Sequence, residues 1–387
     1  MKKIAIVTAT RAEYGLFYPV IRELRKYEDE SLKVDLIVTG THLSDKYGNT
    51  INEIKKDNIR IDHTIKISVD SDSVTDISGN QAEALVKFTA LFKNEGYGCV
   101  LLLGDRYETL AIAIAAGNTR TPIFHLCGGD TTEGAIDEWI RHSISKMAYI
   151  HFVTNEISRK RVIQLGESPD RVYNYGSTSL DNILGLDLLS KTEALNSIDM
   201  EECEYILCTY HPVTMEDVNV EKQMCEFIET IKLFPDIQFI VTKSNADLGG
   251  AKINEILDEQ EKKVTNLHVF TSLGIMRYLS LMKYALAVLG NSSSGIIESP
   301  AFKIPTVNIG DRQKGRLQSE SIINCLPDSE SIAHAVRKAI EPDFQKFCKS
   351  VVSPYGNGTA ANRIAKKTVG IIMNNEIDLK KKFFDLE

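Results

Sequence analysis

Short apolar runs return along the whole chain, each followed by a longer amphipathic stretch, and this alternation constrains the fold more than any other feature. The runs Ile4–Thr8, Val34–Thr39, Cys99–Leu103, Ile123–Leu126, Ile150–Thr154 and Val172–Tyr175 have the length and Val/Ile/Leu content of strands buried on both faces. Helical patterning fits Tyr18–Tyr27, Gln81–Asn94, Thr109–Gly117 and Glu138–Lys146 between them. The pattern weakens over Thr178–Met200 and then restarts. Strands are expected at Tyr205–Thr209, Ile237–Thr242, Leu267–Phe270, Ala285–Leu289 and Thr306–Ile309. Helices are expected at Glu216–Leu233, Ala251–Lys263, Gly274–Met282 and Ser331–Ile340. Such alternation builds βαβ units on a parallel sheet. The chain reads as an α/β protein with two doubly wound, Rossmann-like halves joined near residue 180. Thr359–Met373 adds a long helix before a charged tail. Two such halves facing each other would leave a central cleft at the C-terminal ends of both sheets, where ligands of this class bind.

The chain has 387 residues, and single cores stop growing near roughly 250–300 residues, so two or three domains are expected. Lys plus Arg is 45 against 53 Asp plus Glu, a formal net charge of −8. With no basic block, that excludes a nucleic-acid binder driven by bulk charge, but not a small anion held by local donors. Seven cysteines without a CxxC read as reduced thiols. The run Ile4–Val7 is too short for a signal-peptide core, and no uncharged apolar run approaches the ~20 residues of a membrane span. A cytosolic protein with no membrane partner is expected.

The chemistry-bearing residues cluster just after the strands. The first βα turn, from Thr8 to Gly15, lacks GxGxxG, so no dinucleotide cofactor is expected. Arg11 there is either a bidentate phosphate ligand or a solvated loop arginine. Asp105 and Arg106 close the strand Cys99–Leu103, which makes Asp105 either a helix N-cap or a catalytic group. After His125 come Cys127, Gly128, Gly129 and then Asp130, Glu133, Asp137 and Glu138, four carboxylates within nine residues. General acid–base catalysis needs positioned carboxylates in contrasting environments. Asp130 and Asp137 are read as functional, and Glu138 as a first-turn acid favouring the helix dipole. His211 ends the first strand of the second half and could bind phosphate or simply pack. With no second His at ligand spacing, zinc is not expected. Gly290-Asn291-Ser292-Ser293-Ser294-Gly295 joins a strand to a helix, with small residues and hydroxyls suited to phosphate. Glu298, one turn on, suits ribose hydroxyls. Arg312, in Gly310–Arg316, offers a further donor.

Together these segments resemble the UDP-N-acetylglucosamine 2-epimerase family, and more narrowly its hydrolysing branch, which includes bacterial sialic-acid pathway enzymes. The matching stretches are TATRAEYG (8–15), GTHLSDKYGNT (40–50), GDRYE (104–108), HLCGGDTTEGAIDEWIRHSISK (125–146), HP (211–212), GNSSSGIIE (290–298) and GDRQKGR (310–316). The resemblance implies a glycosyltransferase-B-like fold, with a sugar-side domain over about 1–180, a UDP-binding domain over 181–365, and a C-terminal helix at about 366–387 completing the first. It implies loss of the C2 proton, anti-elimination of UDP to a 2-acetamidoglucal, and hydration to a free sugar inverted at C2. It makes Asp105 and Asp137 the acid/base candidates, puts Arg11, Arg106, His211, Asn245, Ser292, Ser293, Glu298 and Arg312 where relatives bind the nucleotide or its diphosphate, and sets His42 in the loop near the sugar; the catalytic set expected is Asp105, Asp130, Asp137 and His211. No cofactor or metal is implied, and the assembly implied is a homodimer or homotetramer. The product expected is N-acetylmannosamine from UDP-GlcNAc, for sialic-acid-type sugars of a capsule or surface polysaccharide. The same motifs suit a relative acting on UDP-2,4-diacetamido-2,4,6-trideoxyglucose in legionaminic-acid synthesis, and a non-hydrolysing epimerase would re-add UDP. A retaining glycosyltransferase shares the fold, while the acid cluster argues against a non-catalytic UDP-sugar sensor. Several relatives carry Glu where this chain has Cys127, so the proton carriers here are sought among the nearby acids.

Overall fold

The computed structural model describes residues 1–45, 49–69, 74–131, 137–211, 220–243, 250–271 and 273–386. The chain divides into two compact units, Met1–Asn182 with Tyr355–Glu387, and Ile183–Pro354. The first unit is built on β1 (Lys2–Thr8), β2 (Leu32–Thr39), β3 (His63–Ile65), β4 (Cys99–Leu103), β5 (Ile123–Leu126), β6 (Ile150–Val153) and β7 (Val172–Asn174). These seven pair in parallel in the order β3-β2-β1-β4-β5-β6-β7. Side chains alternate across the sheet with period two. Ile4, Ile6 and Leu101 pack with Phe17 and Val20 of the helix Arg11–Arg25 and Ile364 of the helix Ala360–Met373. Ala5, Val7, Val100 and Leu102 pack on the other face with Phe88 and Phe92 of the helix Val74–Glu95. Coverage of both faces is why these strands read as unbroken apolar runs.

The second unit repeats the plan with β8 (Tyr205–Thr209), β9 (Gln238–Thr242), β10 (Leu267–Phe270), β11 (Ala287–Gly290), β12 (Thr306–Ile309) and β13 (Ile322–Cys325). They pair in parallel in the order β10-β9-β8-β11-β12-β13. Ile206 and Cys208 join Phe227 and Val336 on one face, while Tyr205 and Leu207 join Leu281 and Met282 on the other. Strand order reverses between β1 and β4 in one unit and between β8 and β11 in the other. These are the switch points where doubly wound sheets bind ligands. Two Rossmann-like units in one chain make the fold glycosyltransferase-B-like.

Three local features depart from the sequence reading. The part-exposed edge strands β3 and β13 carry no continuous apolar run, whereas the edge strands β7 and β10 lie on expected ones. The helix expected at Tyr18–Tyr27 begins at Arg11, since Thr10 and Glu13 form a capping box ahead of the helix-breaking Gly15 and Pro19. Pro19 has no N–H for Gly15 O, and the Asn182 side-chain amide donates there instead. The last helix stops at Met373, so the helix expected over about 366–387 is corrected to Ala360–Met373 with a non-helical tail. Asn375 at φ 55, with Glu376 N bonded to Ile371 O at 3.1 Å and Asn375 N to Ile372 O at 3.3 Å, closes the helix as a Schellman motif. No helix among the described residues is long and apolar enough to cross a membrane.

Candidate active site

At the first switch point β1 hands the chain to the helix Arg11–Arg25. Glu13 Oε2 accepts from Ala9 N at 2.7 Å and Thr10 N at 3.2 Å, and Thr10 Oγ1 accepts from Glu13 N at 3.3 Å. Glu13 is buried, and its Oε1 finds no partner among the described residues. Burial pushes its carboxyl from 4.5 up to about 8; the Ala9 N–H opposes this and Glu108 adds to it. Glu108, fully buried, holds Arg106 Nε at 2.6 Å. His42, just past β2, is 1% exposed, with Nε2 3.1 Å from Thr8 Oγ1 and Nδ1 2.8 Å from Thr50 Oγ1. Burial lowers its pKa to about 4, so the ring is neutral at neutral pH. The Arg11 side chain is 74% exposed and pairs with Glu53 at 3.0 Å.

β4 and β5 end side by side. Asp105 does not cap the helix Tyr107–Asn118, whose N-cap is Arg106 with no capping bond from its side chain. Its Oδ2 instead accepts from Arg141 Nε at 2.8 Å and from Arg141 Nη2. Arg141, whose side chain is 4% exposed, lies one turn into the helix Asp137–Met147. Its Nη1 donates to Asp130 O at 2.7 Å and to Glu138 Oε2 at 3.1 Å, while Glu138 Oε1 lies 3.1 Å from His142 Nε2. One buried guanidinium thus gathers Asp105, the Asp130 carbonyl and Glu138, on the helix that Asp137 opens; a charge so buried persists only when paired. The Asp130 carboxylate is engaged elsewhere, by Thr154 Oγ1 at 3.1 Å and by Ser158 Oγ. That ties the β5 turn to the helix Glu156–Gln164, and Gly129, at φ +81, allows it: a Cβ there would lie 2.3 Å from Ser158 O. Burial first, then the Asp130 and Asp105 charges, pushes the Cys127 thiol up, so it stays protonated at neutral pH and is no ready base. His125 is fully buried, its Nε2 2.9 Å from Gly104 O, and burial drives its pKa down to about 3.

The second switch point lies between β8 and β11. Gly290 has φ +138, and a Cβ there would sit 2.0 Å from Thr209 O, so only glycine fits. Asn291 bridges the strand ends, accepting from His211 N at 2.7 Å and donating to His211 O at 2.8 Å. Arg312 Nη1 and Gln313 Nε2 converge on Asn291 O at 3.0 and 2.8 Å. Ser292 caps the short helix Ser293–Ile297, its hydroxyl accepting from Ser294 N at 3.3 Å. Ser294 Oγ donates to Glu298 Oε2, and burial raises the Glu298 carboxyl. Hydroxyls, a guanidinium and a carboxyl at one sheet edge suit an anion joined to a diol.

Asp105, Asp130, Arg106 and His42 therefore stand just past strand ends of the first sheet, and Asp137 opens the helix Asp137–Met147. His211, Ser292, Ser293, Glu298 and Arg312 stand at the strand ends of the second. Arg11 faces solvent, and Asn245 and Glu133 lie outside the described residues. Sequence reasoning passed over Arg141 and Asn291. Arg141 stands four residues after Asp137 and three after Glu138, so it shares their helix face, and that spacing was the available signal. Asn291 sat inside a recognised motif as an apparent spacer. Among the described residues, Asp35, His63 and Glu95 hold ligand atoms within 4.8 Å of one another. Lys33 at 2.7 Å from Asp35 and Lys3 at 2.8 Å from Glu95 already neutralise both carboxylates, so the group reads as an ion-pair network.

A family model described as UDP-N-acetylglucosamine 2-epimerase matches residues 24–368. The chain is 40% identical over 389 residues to a GDP/UDP-N,N'-diacetylbacillosamine 2-epimerase (hydrolyzing) of Campylobacter jejuni, covering 100% of this chain and 99% of that protein. It is 36% identical to the polysialic acid biosynthesis protein P7 of Escherichia coli, over 100% of this chain and 98% of that one. Among solved structures, the UDP-GlcNAc 2-epimerase of Neisseria meningitidis bound to UDP-GlcNAc matches with a TM-score of 0.78 at 20% identity. That match covers 96% of this chain and 100% of the other.

Proposed function

The chain belongs to the UDP-N-acetylglucosamine 2-epimerase family, in its hydrolysing branch, and from that premise we propose how its own residues carry the reaction. It is an enzyme acting on UDP-sugars. Asp105 takes the proton from sugar C2. The C–H electron pair becomes the C1=C2 double bond, and the C1–O bond breaks with its pair leaving on UDP. Water then adds across the glycal, a proton reaching C2 from the opposite face and hydroxyl reaching C1. The free sugar carries inverted C2, and UDP is not re-added. Arg141 keeps Asp105 aimed, and Asp137 serves the hydration step. The first unit supplies the proton-transfer groups. Ser292, Ser293, Glu298 and Arg312 of the second hold UDP, with Glu298 on the ribose.

The observation that carries this reading is the grip of buried Arg141 on Asp105 at the first switch point. A carbon acid as weak as C2–H needs a base held close and oriented. The substrate proposed first is UDP-GlcNAc, giving N-acetylmannosamine for sialic-acid-type sugars. A second reading, UDP-N,N'-diacetylbacillosamine, is favoured by the 40% identity to the Campylobacter protein of that name. Incubating the protein with each nucleotide sugar in D₂O and following proton NMR tests both readings. Free mannose-configured sugar with deuterium at C2, plus UDP, is expected from the true substrate. Hydrogen fully retained at C2 defeats the elimination route, and UDP-N-acetylmannosamine as end product defeats the hydrolytic one. A homodimer or homotetramer is part of the proposal, and a monomer mass in light scattering at micromolar concentration would remove it.

A further inference from the structure

The chain beyond the last helix is tied down along its length to the surroundings of the helix Asp137–Met147. Tyr149, which follows that helix, donates its hydroxyl to Glu376 O at 3.3 Å and accepts from Asp378 N at 3.1 Å. Lys381 Nζ donates to Lys146 O at 2.6 Å, Ala148 O at 2.8 Å and Glu167 Oε1 at 2.9 Å. Those two carbonyls belong to the C-terminal end of the helix, where a cation both caps and complements the dipole. Glu167 is fully buried and also takes Lys146 Nζ at 2.8 Å and His151 Nε2 at 3.1 Å. Phe383 lies 4.4 Å beneath Lys146 Nζ and against Gly166, where a Cβ would meet its ring at 2.4 Å. Phe384 N completes the attachment on Gly166 O at 2.9 Å.

The helix so pinned has 11 residues, roughly 16 Å at 1.5 Å per residue. Asp137, Glu138 and Arg141 occupy its other end, and Arg141 holds Asp105. A helix of this length transmits an axial shift from one end to the other. We propose that residues 376–386 form a strap that fixes the axial position of the helix Asp137–Met147, with Lys381 as its pin, and so sets Arg141, Asp105 and Asp137 for proton transfer. The inference rests on the site reading above. Lys381 is a positioning residue: it touches the carbonyl end of the helix and acts through it.

The test compares full-length Lys381→Met and Lys381→Arg with the parent enzyme. A base displaced by about 1 Å loses on the order of 10²-fold, so Lys381→Met should lower kcat by roughly ten- to a hundred-fold. UDP affinity should stay within twofold, because the groups assigned to UDP lie in the other unit. Lys381→Arg, which keeps the cation and its donors, should restore most of kcat. Unchanged kcat in Lys381→Met overturns the proposal, and so does a loss that Lys381→Arg fails to rescue. Phe383→Leu, which loosens the strap beside an intact Lys381, should lower kcat in the same sense by a smaller factor. If Lys381→Met does not fold, wild-type kcat in Phe383→Leu overturns the proposal. Wild-type turnover in both Asp105→Asn and Asp137→Asn would instead bring down the site reading, and with it the route through which the strap acts.

Discussion

Single residues here separate into those that act and those that hold. Asp105 meets Arg141 but caps no helix, so Asp105→Asn removes the basic group and one carboxylate partner of a buried guanidinium. Turnover should fall on the order of 10²–10⁴, the usual contribution of one positioned base. UDP affinity by calorimetry should barely change, and some stability should be lost, because the buried Arg141 guanidinium loses a charged partner. Glu13 allows a test by pH. Its carboxyl is raised from 4.5 to about 8 in the folded chain, so the folded state binds a proton that the unfolded state has released. Stability from this group is fully present below 4.5 and is lost as pH rises through 8. His42 has the opposite sign: with its value lowered from 6.5 to about 4, it costs stability as pH falls through that window. Between pH 6.5 and 8 Glu13 acts without that opposition. The urea midpoint should drop across that interval in the parent chain and stay flatter in Glu13→Gln, whose amide oxygen still accepts from Ala9 and Thr10. An equal drop in both would remove Glu13 as the source. The positions of Asp105 and Glu298 were legible because motifs place them at strand ends. The partners Arg141 and Asn291 were not, because a buried ion pair or amide bridge is set by tertiary contact.

At the scale of elements, strands that carry an apolar run were readable, and β3 and β13, which lack one, were not. Cys99–Leu103, Ile123–Leu126, Tyr205–Thr209 and Thr306–Ile309 are buried strands over the spans their apolar runs mark, and the part-exposed edge strand Leu267–Phe270 keeps its marked span as well. The start of the helix Arg11–Arg25 escapes the reading because Gly15 and Pro19 mask its pattern. Gly290 shows how tightly one junction is specified. Gly290→Ala would force a side chain to φ +138 and place its Cβ 2.0 Å from Thr209 O. The dihedral alone costs about 1–3 kcal/mol, and the clash must also push β8 from β11. Asn291 would then lose its hold on His211. Chemical denaturation should show the stability loss, and UDP affinity should fall with it. A variant of parent-like stability and affinity would mean that this junction tolerates a shift the geometry does not allow.

For the whole molecule, the alternation of runs was enough for an α/β chain of two doubly wound sheets, but not for the strand orders. Every strand covered on both faces reads alike, and the right-handed crossover rule fixes the hand of a connection without choosing its neighbour. The orders matter because they put one switch point in each unit. The proposed division of labour follows from that: proton transfer at the β1/β4 end of one sheet, UDP at the β8/β11 end of the other. Asp105 and Glu298 belong to separately packed units, with different hydrogen-bond partners among the described residues. Substitutions without shared partners add within about 0.3–0.5 kcal/mol. Glu298→Ala should therefore weaken UDP binding and raise KM with little change in kcat. Asp105→Asn should lower kcat with little change in UDP affinity. The double variant should lose kcat/KM by the product of the two single losses, measured with the same nucleotide sugar at one pH. A double loss well short of that product would mean that the two carboxylates serve one step together, and the assignment of chemistry to one unit and nucleotide to the other would have to be abandoned.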